Sequence, residues 1–119
     1  MRKENVLLDK SYSFSLRIIK LYKYLTGKQE YVLSKQLLRA GTSIGANAEE
    51  ANAAQSKSDF IYKLQISYKE AHEAHYWIRL MRDSEYIESK AADSLLFDLE
   101  ELIKLLRAIL QKAKEGSNN

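Results

Sequence analysis

No proline interrupts any of the 119 residues of this chain, and apolar residues recur every three or four positions along nearly all of it. Proline breaks helices because its ring removes an N–H donor and collides with the preceding turn. A proline-free chain with a 3.6-residue apolar period is therefore confined to long helices, each burying one face. Three short breaks divide the pattern into helices over residues 4–26, 30–54, 57–82 and 89–114, with a tail at 115–119 expected to fray. Short connections force consecutive helices antiparallel. The expectation is one all-α domain over residues 1–119, an up-down-up-down four-helix bundle.

Each helix declares its core face. The first carries Leu7, Phe14, Ile18, Leu21 and Leu25, with Gly27 placed to supply a left-handed C-terminal cap. The second carries Leu33, Leu37, Gly41, Ile44, Ala48 and Ala51. Interior glycines cost about 1 kcal/mol each relative to alanine, so Gly41 and Gly45 point to another helix packed unusually close. In the third, Ser56 or Ser58 is placed to cap the N-terminus, and Phe60, Leu64, Ser67, Ala71, Ala74, Ile78 and Met81 follow in 4-3 spacing. The fourth has Leu95, Leu99, Leu102, Leu106, Ile109 and Ala113, flanked by a second row, Leu96, Ile103 and Leu110. That width exceeds one bundle seam, and contact with another subunit is the expectation for the surplus. Eight tyrosines and one tryptophan are expected to ring the core or serve subunit contacts.

Chemistry is more sparsely written. The chain has no cysteine, which excludes a disulfide framework and thiolate chemistry and fits a reducing cytoplasm. The segment after Met1 is amphipathic, so neither a signal peptide nor a membrane anchor is expected. A di-iron bundle needs two Glu-x-x-His pairs, and the two histidines, His72 and His75, lie in no such pair. Three positions apart, they make an incomplete zinc shell. Gly41-Thr42-Ser43-Ile44-Gly45 is no phosphate loop, because no strand precedes it and no Gly-Lys-Ser follows. No enzymatic activity, metal or cofactor is expected.

Charge is unevenly spread. Residues 1–48 hold nine Lys or Arg against three acids, while residues 49–119 hold ten against thirteen. Two uses fit this dipolar layout: pairing of the chain's own helices or subunits, and binding of a polyanion. For the second, the candidate residues are Lys10, Arg17, Lys20, Lys23 and Tyr24 on the first helix, with Lys35 and Arg39 on the second. Arg17, Lys20 and Tyr24 share a face by 3-4 spacing, so cations for phosphates stand beside a ring for a base. The competing use of the same residues is an ordinary solvated helix surface.

The text of the second and third helices is also familiar. Gln36-Leu37-Leu38-Arg39-Ala40, then Thr42-Ser43-Ile44-Gly45-Ala46-Asn47-Ala48-Glu49-Glu50-Ala51, and later Asp59-Phe60-Ile61-Tyr62-Lys63-Leu64 and Glu73-Ala74-His75-Tyr76-Trp77-Ile78-Arg79-Leu80 resemble the 23S ribosomal RNA intervening-sequence proteins, a four-helix bundle family. The resemblance covers nearly the whole chain. It extends to a relative, the accessory variability determinant of diversity-generating retroelements, and implies a homo-oligomer, a pentamer in that relative, that binds nucleic acid and a reverse transcriptase. The family's Ser-Ile-x-x-Asn-x-x-Glu pattern falls on Ser43, Ile44, Asn47 and Glu50. Ser43, Asn47, Glu50 and His75 are accordingly expected to make polar contacts between helices or subunits. The functional expectation is a cytoplasmic, non-enzymatic homo-oligomer that binds RNA or DNA through the basic face of helices one and two. The alternative is a protein-interaction scaffold, an accessory subunit of a nucleic-acid enzyme without nucleic-acid affinity of its own.

Overall fold

Four helices follow one another in the computed structural model, which describes residues 6–117: α1 (Val6–Gly27), α2 (Leu33–Asn52), α3 (Lys57–Asp83) and α4 (Ser89–Ser117). Each packs against its sequence neighbours, and α4 returns to α1 along the loosest of the four seams. This is the expected antiparallel up-down-up-down bundle, 51 Å long and 26 by 20 Å across.

Side-chain volume sets the spacing of the rods. Ala40, Ile44, Ala48 and Ala51 of α2 face Ala71, Ala74 and Ser67 of α3 in a seam made almost wholly of small, fully buried residues. The approach is close enough for the Ser67 hydroxyl to donate to the Ile44 carbonyl across the seam, at 2.8 Å. On the other flank of α2, a Cβ on Gly41 would lie 2.8 Å from Ile18 Cγ1, and one on Gly45 would lie 3.4 Å from Ser11 and Ser15 atoms. Helix α1 therefore sits on bare α2 backbone. The fourth helix brings the bulk, with Leu99, Leu102 and Leu106 sealed from solvent.

Several sequence expectations need correction. Leu96, Ile103 and Leu110 are buried within the chain itself. They lie on the flank of α4 from which Glu100 and Arg107 reach His75 and Tyr68 of α3, so that row closes the α3–α4 seam and leaves no surplus for a subunit contact. Most tyrosines stand outside the core: Tyr12, Tyr24, Tyr31, Tyr62, Tyr76 and Tyr86 are all exposed. A bundle drawn together by alanine and glycine has no interior volume for them.

Helix ends differ too. Gly27 is the last residue of α1 and has a negative φ. The left-handed position belongs to Gln29, at φ 67°, where the Glu30 N–H bonds back to the Leu25 carbonyl at 2.9 Å, completing a Schellman turn. Glu85 closes α3 in the same way, with φ 67° and a Tyr86-to-Met81 bond of 2.9 Å. Helix α2 starts at Leu33, three residues later than expected, and ends at Asn52. Helix α4 runs on to Ser117, since nothing in Glu115-Gly116-Ser117 stops it. The expected first turn at Glu4 and Asn5, and Asn118 and Asn119 of the expected tail, lie outside the described residues. Ser56 caps α3 by accepting from the Asp59 N–H at 3.0 Å.

The two α2 glycines make opposite predictions. Ile18 is β-branched and fully buried, so it cannot yield to the methyl of Gly41→Ala. That variant should lose about 1 kcal/mol after its gain in helix propensity is counted. Gly45→Ala meets only ordinary van der Waals contact and should gain up to about 1 kcal/mol. Urea denaturation of both variants checks the pair, and equal shifts of the same sign would refute the packing account.

Candidate nucleic-acid interface

The seven residues singled out for polyanion binding separate into two groups. Three are already joined to acids. Lys10 lies 3.6 Å from Glu101, and Arg17 reaches Asp98 at 2.6 Å while also donating to the Ser94 hydroxyl at 3.0 Å. Both tie α1 to α4. Arg39 crosses from α2 to α3, bonding Glu70 at 2.9 Å and also Glu73, whose carboxylate accepts from the Trp77 indole as well. Three cations of the basic half of the chain are thus paired with acids of the other half. Such solvent-exposed pairs stabilise by only about 0–1 kcal/mol each.

The second group remains free. Lys20, Lys23 and Lys35 are exposed and have no acid partner among the described residues. Lys28 joins them, its ammonium 5.6 Å from the centroid of the Tyr24 ring. Tyr24 itself is about half exposed. These residues occupy the end of the bundle where α1 passes to α2.

A local hydrogen-bond device fixes that end. The Glu30 carboxylate accepts from the backbone N–H groups of Val32 (2.9 Å), Leu33 (3.0 Å) and Ser34 (2.6 Å). The Ser34 hydroxyl donates back to the Glu30 carbonyl at 2.8 Å. Glu30 was expected to begin α2, but its side chain instead satisfies the orphan donors of the first turn, which delays the helix to Leu33. Burial alone would raise its carboxyl, yet the three backbone N–H bonds outweigh that effect and hold it below its ordinary value of 4.5. The acid of the α1–α2 turn, Glu30, thus has its charge directed into the helix N-terminus.

The polar residues expected between helices also divide. Glu50 meets Lys63 across the α2–α3 seam at 2.9 Å. His75 of α3 lies 3.0 Å from Glu100 of α4 and accepts from Arg79 at 3.0 Å. Ser43 and Asn47 instead bond back along their own helix, to the carbonyls of Arg39 and Ser43. The buried bond across helices comes from Ser67, whose place in an apolar 4-3 row was the only sequence signal for it. His72 meets the Tyr68 ring edge-on at 4.7 Å and is held apart from any ligand set. Among the described residues, no three His, Cys, Asp or Glu side chains are grouped to hold a metal ion, and no helix is long and apolar enough to cross a membrane.

Fold and surface together define an antiparallel four-helix bundle with a basic, tyrosine-bearing end. The chain belongs to the 23S rRNA-intervening sequence protein family, whose sequence profile matches residues 3–108. A crystal structure of a protein of unknown function from the S23 ribosomal protein family of Bacteroides thetaiotaomicron VPI-5482, at 1.70 Å resolution, is similar over 88% of this chain and 98% of that one, with 50% identity and a TM-score of 0.87. Comparison with curated proteins gives no match.

The Glu30 device carries a pH dependence whose sign is fixed. A carboxylate with a depressed pKa in the folded state stabilises the protein above its unfolded value, and that stability is lost as pH falls through the folded value. At neutral pH, Glu30→Gln should be less stable than the parent by about 1 kcal/mol. The difference should shrink once pH drops below 4.5. Urea denaturation of both proteins at neutral and acidic pH measures it, and a gap independent of pH would rule the charged cap out.

Proposed function

We propose that the protein is a non-enzymatic homo-oligomer that binds nucleic acid through the basic end formed by α1 and α2. One observation carries this reading: Lys20, Lys23, Lys28 and Lys35 are exposed and lack acid partners among the described residues, with Lys28 over the exposed Tyr24 ring and Lys20 beside it in the same groove, whereas Lys10, Arg17 and Arg39 are paired with acids. Unpaired cations release condensed counterions when they meet phosphates, and an adjacent ring offers a stacking face. The family's name, which refers to 23S rRNA-intervening sequences, agrees with a nucleic-acid setting.

Self-association is supported by a different surface. Tyr12, Leu16 and Ile19 form an exposed apolar row on α1 at four- and three-residue spacing, 63%, 53% and 37% accessible. A row of this kind at the middle of a helix marks a protein contact. Facing a second copy, it would leave the lysine end at the rim, where charges from several subunits add. The same row favours the second reading, an accessory scaffold for a nucleic-acid enzyme, if its partner is a different protein.

Fluorescence anisotropy with a labelled single-stranded RNA tests the first reading. Affinity should fall steeply with salt, and replacing the four lysines by alanine should flatten the log–log salt dependence by up to about 3. An intact oligomer that binds neither RNA nor DNA at low salt would leave the scaffold reading in its place. For assembly, light scattering should show an oligomer, a pentamer by family resemblance, that Leu16→Glu with Ile19→Glu converts to a helical monomer. A parent protein that stays monomeric at high concentration would overturn the homo-oligomer.

A further inference from the structure

The α1–α4 seam is fastened only partway. From Arg17 towards the basic end, α1 and α4 border a groove of about 470 Å³, within the range of about 300–1,000 Å³ typical of small-ligand sites. Its floor is apolar, made by Leu21 of α1, Ile87 of the α3–α4 turn, and Ala91 and Leu95 of α4. Its rim is polar. Lys20 and Tyr24 stand on the α1 side and Glu88 on the turn side.

Resting on the nucleic-acid reading above, we propose that this groove accepts one unstacked base of a single-stranded nucleic acid. Phosphate binding requires only cations, as at Lys23 and Lys35 on the open surface. An apolar floor beside an exposed aromatic ring gives phosphates nothing, but it shelters the flat face of a base. A duplex keeps its bases stacked inside and presents mainly its backbone, so the floor stays empty against it. The Tyr24 ring stacks on the base while the unpaired Lys20 ammonium takes the adjoining phosphate, and Lys28 lies close to the same ring for the next.

Glu88 sets the edge preference. A carboxylate accepts hydrogen bonds and donates none, so it favours bases bearing an exocyclic amino group and opposes the carbonyl edge of uracil. Its charge also keeps the phosphates on the lysine side of the groove.

The test compares a labelled oligo(C), an oligo(U) and a blunt RNA duplex of the same length, by anisotropy at fixed salt. Tyr24→Leu should weaken oligo(C) binding about tenfold and leave duplex binding unchanged, whereas Lys23→Ala should weaken both. Ala91→Phe, which fills the groove from an exposed helical position, should reproduce the single-strand loss. Glu88→Gln should erase the preference for oligo(C) over oligo(U). Circular dichroism establishes that each variant keeps its helices. Equal affinity for single strand and duplex, unmoved by Tyr24→Leu and Ala91→Phe, would overturn the base-binding groove while nucleic-acid binding stood. Absence of binding to all three probes would overturn both.

Discussion

The closeness of α2 to its two neighbours governs the rest of the structure. Gly41 lets Ile18 of α1 rest on backbone, and the alanines of α2 and α3 bring those helices near enough for Ser67 to bond the Ile44 carbonyl. Dispersion falls off steeply with separation, so a seam of small side chains gains contact through backbone proximity and needs no bulk. Three helices are thereby drawn tight, and the large leucines of α4 fill what remains. The α1–α4 seam, built on bulk and not on close approach, is bordered by open grooves.

Electrostatics follow the same geometry. Antiparallel packing sets the basic α1 beside the run of acids Asp98, Glu100 and Glu101 on α4 and the basic stretch of α2 beside Glu70 and Glu73 of α3, so Lys10, Arg17 and Arg39 find carboxylates within reach. Each pair contributes little to stability, but together they determine which cations are left. The supply of acids runs out at the α1–α2 turn, where Glu30 is already turned onto the amides of α2. Lys20, Lys23, Lys28 and Lys35 are thereby left without acid partners among the described residues near that turn, even though the whole chain carries only +3.

Periodicity made the four rods, their order and most of their core readable from the residues alone, because a buried helical face repeats in sequence whatever it packs against. The close approach at Gly41 was readable for a related reason, since an interior glycine is costly unless something needs the space. Other features depend on facts no single helix contains. Whether Leu96, Ile103 and Leu110 face solvent or α3 is decided by the partner helix. Whether Arg17 is free depends on Asp98, 81 positions later. Gln29 and Glu85 in left-handed turns defy local preference, where glycine is the default, and the pull of the packed helices on either side holds them there. Glu30 resembles any helical glutamate until the backbone shows three N–H groups converging on it.

The exposed aromatics follow from the same packing. Burying a large apolar side chain stabilises a fold by about 1.5–3 kcal/mol, so six tyrosines left outside a well-filled core represent a substantial unused capacity for burial. Tyrosine is suited to that position, because its ring favours contact while its hydroxyl remains content in water. Tyr12, Tyr24, Tyr62 and Tyr76 are mounted on helices, so these rings are already ordered before anything meets them, and a partner loses less entropy in docking than it would against flexible loops. Tyr24 differs from the others in its company. It stands at the mouth of a groove where an apolar floor and the unpaired Lys20 coincide, so the packing that excluded it from the core also placed it where a base and a phosphate can be met together.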